Sequence, residues 1–194
     1  MKTTTGRKPA GEVRIIGGEW RGRRIAVPAA TGLRPTGDRV RETLFNWLAP
    51  RLPGAKCLDL FAGTGVLGLE ALSRGAGEVV FVERQRDVAL ALEANLERLG
   101  ARAGTVVGAD ARRFLDGSPR PFDVVFLDPP FGEFDLGELC KLLAAGWLCD
   151  GARVYLEMPE KAAVPALPPP WQCLREKTAG QVRYALAAFA AGGA

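Results

Sequence analysis

The chain has 194 residues, of which 47% are hydrophobic and 25% are charged, and this length and balance predict one globular domain with a buried core. It contains no histidine, which excludes Ser-His-Asp and Cys-His catalysis and argues against a zinc site, so we expect no metal centre. No apolar run reaches the roughly 18 residues of a membrane-spanning helix, and the polar, basic N-terminus lacks the apolar segment of a signal peptide.

Cysteine usage indicates the compartment. The four cysteines are scattered without CxxC spacing, and three of them lie in apolar stretches. We therefore expect buried free thiols in a protein of the reducing cytoplasm. The residues concerned are Cys57, Cys140, Cys149 and Cys173.

Charge is distributed unevenly along the chain. Residues 1–41 hold ten basic and three acidic side chains, whereas the whole chain has a net charge of +4. The head therefore carries +7 and the remainder −3, which predicts a polyanionic partner held by the head. A solvated, flexible basic tail is the alternative for residues 1–12, while the patterned sequence from Val13 onward predicts folded structure.

In chain order, residues 13–16 and 24–27 predict two short strands joined by a glycine-rich turn. A loop leads to a helix at 38–49, with Thr36 or Asp38 available as its N-cap. Strands and helices then alternate, which indicates an α/β, Rossmann-like fold with a mostly parallel sheet and helices on both faces. Strands are predicted at 57–61, 78–82, 105–107, 122–127 and 153–157, helices at 65–74, 86–99, 111–115 and 135–145, and an antiparallel strand pair at 171–176 and 181–189.

A glycine-rich turn after the first strand of this series indicates a cofactor site. Gly63-Thr-Gly-Val-Leu-Gly68 matches the GxGxxG pattern, in which glycines let the backbone approach a ligand at a helix N-terminus. Glu83 lies about 20 residues farther on, where an acidic side chain binds a ribose diol. Because this motif alone cannot separate NAD from S-adenosylmethionine, an NAD-linked oxidoreductase remains open at this point.

Asp59, at the end of the same strand, favours S-adenosylmethionine. A carboxylate there would repel the pyrophosphate of a dinucleotide, whereas the methionyl ammonium of S-adenosylmethionine attracts one. After the third strand, Asp110 can accept a hydrogen bond from an adenine amino group, and it also fits the N-cap of the next helix. The predicted cofactor-binding residues are Asp59, Phe61, Gly63, Thr64, Gly65, Glu83, Arg84, Asp110 and Ala111.

Asp128-Pro-Pro-Phe131 follows an apolar strand, at the edge where α/β sheets bind ligands. An exocyclic amine of a nucleobase is a poor nucleophile because its lone pair is delocalised into the ring. A carboxylate and a carbonyl of the rigid proline turn can accept its N–H groups and aim the lone pair, and Phe131 can stack on the base. We therefore predict Asp128, Pro129, Pro130 and Phe131 as the catalytic residues. A plain turn with a core aromatic is the alternative for this motif found alone.

These motifs in this order resemble class I methyltransferases, and two N-terminal segments narrow the resemblance. Arg14-Ile-Ile-Gly-Gly-Glu-Trp-Arg-Gly-Arg23 and the segment 33–47, with Leu58–Gly63 and Gly68–Gly75, are similar to the RsmD family. The resemblance covers about residues 13–189. It implies a seven-stranded sheet with a small N-terminal β-hairpin extension, and transfer of a methyl group from S-adenosylmethionine to N2 of a guanine in 16S ribosomal RNA.

The resemblance also divides the chain into a tail at 1–12, an RNA-contacting hairpin extension at 13–37 and a catalytic domain at 38–194. We expect the partner to be 16S ribosomal RNA in the small subunit, and a monomer is the default expectation. A methyltransferase of the same fold acting on DNA or another RNA, and a non-catalytic RNA-binding module, stay open as alternatives. The predicted RNA-contacting residues are Arg14, Trp20 (stacking or packing), Arg21, Arg23, Arg24, Arg34, Thr36 and Arg39.

Overall fold

The computed structural model describes residues 11–28, 36–167 and 169–190. Most of the predicted basic tail, and Arg34, lie outside the described residues. The hairpin consists of β1 (Gly11–Arg14) and β2 (Arg24–Val27), and α1 (Asp38–Leu48) and a 3-10 turn (Ala49–Arg51) follow it. The remaining elements are β3 (Lys56–Asp59), α2 (Val66–Ser73), β4 (Glu78–Val82), α3 (Arg86–Leu99), β5 (Gly104–Val107), α4 (Ala111–Leu115), β6 (Phe122–Leu127), α5 (Leu136–Ala144), β7 (Leu148–Pro159), β8 (Trp171–Ala179) and β9 (Val182–Phe189).

Seven strands form the main sheet in the order β5-β4-β3-β6-β7-β9-β8. The first five are parallel to one another, and β9 runs antiparallel to both β7 and β8. The chain winds outward from β3 in one direction and from β6 in the other, so the switch point of the sheet lies between these two strands. Ligands of open α/β sheets bind at the carboxyl ends of the strands beside such a point.

Helices cover both faces, as the alternating pattern predicts. One apolar core lies between the sheet and α1, α2 and α3, and the hairpin contributes Ile15, Trp20 and Ile25 to it. The second core lies between the other face and α4 and α5. The hairpin is therefore packed on the α1–α3 side of the molecule, where burial of its apolar side chains holds it in place.

Several predicted boundaries and environments are wrong in detail. The cap position of α1 is Gly37, with no side-chain cap, instead of Thr36 or Asp38. The first strand ends at Arg14 instead of residue 16, because the Ile16 N–H donates to the Glu70 carboxylate and not to a facing strand. Cys57 and Cys140 are buried as predicted, but Cys149 is half-buried and Cys173 is exposed on the edge strand β8.

The hairpin turn packs closely against the end of α2. Gly18 has a φ of +76°, and a Cβ atom built on it would lie 1.8 Å from the Ser73 carbonyl oxygen. The Glu19 N–H donates to that same oxygen at 2.7 Å, and the Trp20 N–H donates to the Ser73 hydroxyl at 2.9 Å. Only glycine satisfies both the left-handed backbone and this close approach, which explains the second glycine of the N-terminal motif, Gly18.

Helix α3 fixes the other part of the hairpin. The Asn95 side chain accepts a hydrogen bond from the Ala26 N–H and donates one to the Ala26 carbonyl. Arg98 donates to the Arg24 carbonyl at 2.8 Å. Hydrogen bonds to two helices thus give the hairpin one defined position on the domain.

Candidate active site

The predicted catalytic and cofactor motifs meet at the switch point of the sheet. Asp59 is the last residue of β3, and Asp128 directly follows β6, the strand that pairs with it. Residues separated by almost 70 positions in sequence therefore lie at the same edge. The geometry brings the two motifs together in the way that their sequence order predicts.

Glu83 supports the glycine-rich loop from the neighbouring strand. Its carboxylate accepts hydrogen bonds from the Gly63 N–H at 2.9 Å and from the Gln85 N–H at 2.7 Å. Each carboxylate oxygen has a second lone pair, so both can still accept a ribose hydroxyl. Gly65 also requires glycine, because its φ is +75° and a Cβ atom there would lie 2.2 Å from Leu92.

Asp59 lies beneath this loop and is 2% exposed. Its carboxylate accepts the Gly68 N–H at 3.0 Å. Burial, assisted by the negative charge of Glu83 and opposed by the Gly68 hydrogen bond, raises the pKa of Asp59 to about 7. A cation beside this carboxyl group would lower its pKa again, so the position favours a positively charged ligand group over a phosphate.

Asp110 and an aromatic pair lie at the neighbouring strand ends. Asp110 is the N-cap of α4, since its side chain accepts the Arg112 N–H at 2.9 Å, and it remains half-buried. The rings of Phe61 and Phe134 meet edge-on at 4.8 Å, with the Arg112 guanidinium 5.9 Å from the Phe134 ring. Phe134 was missed by sequence reasoning, although an aromatic residue three positions after the catalytic motif was a signal for it.

An ion pair joins the end of β4 to the loop that follows β6. Arg84, directly after the key acid Glu83, pairs with Glu133 at 2.7 Å. This pairing raises the pKa of Arg84. Both side chains are nearly half exposed, so the pair is weak and can exchange for other partners.

Two buried carboxyl groups surround Asp128. It is half-buried, and its carboxylate accepts a hydrogen bond from the Thr36 hydroxyl at 3.2 Å. Burial and the nearby carboxyl groups of Glu157 and Asp59 raise the pKa of Asp128 well above its ordinary value, and the Thr36 hydrogen bond opposes the shift. Pro129 is buried, whereas Phe131 is 51% exposed beside the carboxyl group. An exposed ring at this place is free to contact a flat ligand.

Glu157 was not predicted from the sequence. Leu127 pairs with Leu156 in the register of β6 and β7, so Asp128 and Glu157 follow side by side on adjacent parallel strands. Tyr155 donates its hydroxyl hydrogen to Glu157 at 2.6 Å, and both residues are buried. A second carboxyl group thus lies close enough to Asp128 to raise its pKa.

The hairpin presents arginines around a groove next to the site. The groove has a volume of about 310 Å³. Two arginines and two acidic residues line it together with small and apolar neighbours, namely Glu12, Val13, Arg14, Arg24, Thr36, Gly37 and Asp38. Arg14 pairs with Asp38 at 3.5 Å, and Arg24 pairs with Glu12 at 3.2 Å, both in exposed contacts. Such pairs are worth little in water, so a phosphate can replace the acid. The groove therefore offers two guanidinium groups, and Thr36, which lines the same groove, is hydrogen-bonded to Asp128.

The other predicted RNA-contacting residues differ in their environment. Trp20 is 8% exposed, so it packs in the core and is not available for stacking. Arg23 is exposed and donates to the Arg98 carbonyl, and Arg21 and Arg39 are exposed. Arg34 lies outside the described residues.

A buried ion pair behind the groove was missed by sequence reasoning. Arg41 and Glu70 are both fully buried and meet at 2.8 Å. Arg41 also donates to the carbonyls of Thr36 and Arg14, while Glu70 accepts the Ile16 N–H. The pair thus links α1, α2 and the hairpin. Its two charged partners are 29 residues apart in sequence.

The part of the chain that the structure describes holds neither a metal-binding cluster nor a membrane-spanning helix. No group of three or more cysteine, aspartate or glutamate side chains is placed to hold a metal ion in residues 11–28, 36–167 and 169–190. Within the same ranges, no helix is long and apolar enough to cross a membrane.

Comparison with known proteins identifies the family. A family model described as "Conserved hypothetical protein 95" matches residues 13–188. Ribosomal RNA small subunit methyltransferase D of Escherichia coli K12 is 51% identical over 178 residues, covering 91% of this chain and 90% of that protein. The same-named protein of Haemophilus influenzae is 48% identical over 183 residues, covering 91% and 93%. The solved structure of Escherichia coli yhhF superposes with a TM-score of 0.88 at 47% identity, covering 94% of this chain and all of that one. The chain therefore belongs to the RsmD family of S-adenosylmethionine-dependent methyltransferases.

Proposed function

We propose that this protein transfers a methyl group from S-adenosylmethionine to the exocyclic N2 amine of a guanine in 16S ribosomal RNA of the small ribosomal subunit. The observation that carries the proposal is that Asp128 follows the strand beside Asp59 and also bonds Thr36, which lines the groove of the ion-paired Arg14 and Arg24. The names of the Escherichia coli and Haemophilus influenzae relatives support ribosomal RNA of the small subunit as the substrate. A ribosomal substrate would place the reaction in the cytoplasm, and we propose a monomer.

The residues present fit the cofactor. Three acidic side chains end or follow neighbouring strands, namely Asp59, Glu83 and Asp110. We assign Asp59 to the methionyl ammonium, Glu83 to the ribose hydroxyls and Asp110 to the adenine amino group. Phe61, Gly63, Thr64, Gly65, Arg84 and Ala111 complete the proposed pocket. A site with this many carboxyl groups suits a cation far better than a pyrophosphate, which argues against NAD.

When bound, S-adenosylmethionine supplies a methyl group on a sulfonium, whose sulfur leaves as a neutral thioether. Asp128 and the rigid Pro129-Pro130 turn accept the two N–H groups of the target amine and aim its lone pair at the methyl group. Transfer would form a carbon–nitrogen bond at the target amine as the carbon–sulfur bond of the cofactor breaks, and the proton shed by the nitrogen would pass to the Asp128 carboxylate that already accepts one of its N–H groups. Phe131 stacks on the base, which must leave its helix to reach the site.

The hairpin holds the RNA in this proposal. Arg14 and Arg24 exchange their acidic partners for phosphates and place the backbone along the groove that ends at Thr36. Arg21, Arg23 and Arg39 extend the cationic surface. These contacts determine position, and the base pocket at Asp128–Phe131 determines the atom that is methylated.

The experiment that tests this function incubates the protein and tritiated S-adenosylmethionine with three acceptors: small ribosomal subunits from cells lacking the endogenous enzyme, naked 16S ribosomal RNA, and duplex DNA. Digestion and separation of the nucleosides identify the product. We expect label in N2-methylguanosine from a single site in the ribosomal RNA. Label in N6-methyladenosine, in N4-methylcytidine or in DNA would refute the guanine assignment and favour another acceptor of the same chemistry.

A further inference from the structure

We propose that Thr36 is a positioning residue for Asp128, held in place by the buried side chain of Arg41. This inference rests on the catalytic role proposed for Asp128. It assigns Thr36 to the orientation of the catalytic carboxylate, instead of to the RNA contact that its place in the sequence suggests. Thr36 is 7% exposed, and its hydroxyl donates to Oδ2 of Asp128 at 3.2 Å.

A single hydrogen bond matters here because the carboxyl group of an aspartate turns easily. The torsion that rotates it joins an sp³ to an sp² carbon and has a broad, shallow energy profile. With Oδ2 held by Thr36, the other oxygen, Oδ1, has a defined direction for accepting a substrate N–H. Positioning of this kind acts on the reaction rate, since the lone pair of the amine must be aligned with the methyl group.

Arg41 determines where Thr36 lies. Its Nε donates to the Thr36 carbonyl at 3.1 Å, and its Nη1 donates to Glu70 at 2.8 Å. Arg41 and Glu70 are both 0% exposed, so the planar guanidinium has neither space nor solvent for rearrangement. The carbonyl of Thr36 is thus fixed to the domain core, and its hydroxyl is directed at Asp128.

The same guanidinium reaches the RNA-contacting hairpin. Its Nη2 donates to the Arg14 carbonyl at 3.0 Å, while Glu70 also accepts the Ile16 N–H. Arg14 lines the groove proposed for the RNA backbone. Thr36 therefore shares one buried hydrogen-bond network with the residue that we expect to bind a phosphate.

The electrostatic surroundings give a second readout. The groups that face the Asp128 carboxyl are Glu157 and Tyr155 of β7, Asp59 of β3 and the Thr36 hydroxyl. Burial and the two carboxylates raise the pKa of Asp128, and the Thr36 hydrogen bond lowers it. Removing the hydroxyl should therefore raise this pKa further, and the pH at which the methylation rate is half-maximal should rise with it.

The test compares Thr36→Val, which keeps the shape and loses the hydroxyl, with Thr36→Ser, which keeps the hydroxyl. Single-turnover methylation is measured at saturating cofactor and RNA across pH, with cofactor affinity measured separately. Thr43→Val, at a half-buried position of α1, is the matched control, since its hydroxyl donates to the Arg39 carbonyl within the same helix. We expect Thr36→Val to lower the rate about 10- to 100-fold, as for a lost hydrogen bond to a charged group. Cofactor affinity and the Thr43→Val control should stay at the wild-type level, and Thr36→Ser should restore rate and profile.

The outcomes separate this inference from the proposed function. A Thr36→Val rate equal to wild type, or a low rate with an unshifted pH profile that Thr36→Ser does not restore, would overturn the positioning role. Circular dichroism of each variant across the same pH range measures the folded fraction, and rates are expressed per folded protein. A midpoint that returns to the wild-type value after this correction would also overturn the positioning role. An Asp128→Ala arm is run in parallel. If Asp128→Ala keeps full activity, the proposed function is wrong; if it is inactive while Thr36→Val is normal, only the role of Thr36 is wrong.

Discussion

Carboxyl groups shielded from water dominate the candidate site at the scale of single residues. Asp59 is 2% and Glu157 5% exposed, and burial is the largest cause of the raised pKa values of Asp59 and Asp128. An acid buried in this way destabilises the empty protein when it ionises. A cationic ligand group stabilises the ionised carboxylate. The buried carboxyl groups therefore favour cofactor binding and also lower the stability of the free protein.

Replacement of Asp59 by Asn should therefore stabilise the free protein at high pH. The folded pKa of about 7 lies above the ordinary 3.8, so the stability that Asp59 contributes is complete below pH 4 and is lost as pH rises through 7. Asn keeps an oxygen for the Gly68 N–H but carries no charge. The variant should gain stability over wild type between pH 5 and 8, by about 3 kcal/mol at most, because about 2 pH units of this window lie below the folded pKa.

Urea unfolding without cofactor, at both pH values, measures this difference. An equal difference between variant and wild type at pH 5 and pH 8 would contradict the assignment of a raised pKa to Asp59.

At the scale of elements, the hairpin depends on its contacts with α2 and α3 more than on its own strands. β1 and β2 have only four residues each, and an isolated two-stranded hairpin is marginal in water. Its stability comes from its buried apolar side chains, from the hydrogen bonds to Ser73 of α2, and from those to Asn95 and Arg98 of α3. The turn at Gly18 is the point of closest approach.

Gly18→Ala should release the hairpin, whereas Gly22→Ala is its matched control. Both glycines have positive φ, at +76° and +84°, but a Cβ on Gly22 meets no atom within 4 Å. The left-handed backbone lowers the free energy of unfolding of both variants by about 1 kcal/mol. The clash with Ser73 lowers that of Gly18→Ala by about 1–3 kcal/mol more.

Hydrogen exchange of the Trp20 and Ile16 amides, combined with thermal unfolding, separates the two variants. Equal protection of these amides in Gly18→Ala and Gly22→Ala would show that the close contact does not hold the hairpin.

The sequence predicts the elements well and their side-chain partners poorly. Strand ends that carry Asp59, Glu83 and Asp128 could be placed because parallel strands all end at one edge. Arg41 could not be recognised as buried, since on its helix it reads as one more basic residue of the head. Its partner Glu70 is 29 residues away, and only the packing of α1 against α2 brings them together.

At the scale of the whole molecule, the charge asymmetry has a structural counterpart. The groove lined by Arg14 and Arg24 opens beside the carboxyl ends of the strands through Thr36, which bonds Asp128. Arg51 and Lys56 lie at the opposite edge, before or at the start of β3. RNA bound along the groove would therefore contact the edge of the sheet at which Asp128 lies and not the opposite edge.

The salt dependence of RNA binding tests this orientation. Removing both groove arginines (Arg14→Ala with Arg24→Ala) should weaken RNA binding and reduce the slope of log affinity against log salt by about 1.5–2. The double variant Arg51→Ala with Lys56→Ala is the control of equal charge, and its slope should match wild type. Equal slopes for both double variants would show that the groove arginines do not contact the RNA phosphates.

The central claim is that methyl transfer takes place at Asp128, and single-turnover transfer by Asp128→Ala tests it most directly. Small ribosomal subunits serve as the acceptor, and Asp123→Ala, at the opposite end of β6, serves as the control. We predict a loss of about 100-fold or more in the rate for Asp128→Ala, from the removal of a positioned acceptor. Cofactor affinity should remain, and Asp123→Ala should transfer at the wild-type rate. A wild-type rate in Asp128→Ala would contradict the claim and place the chemistry elsewhere in the molecule.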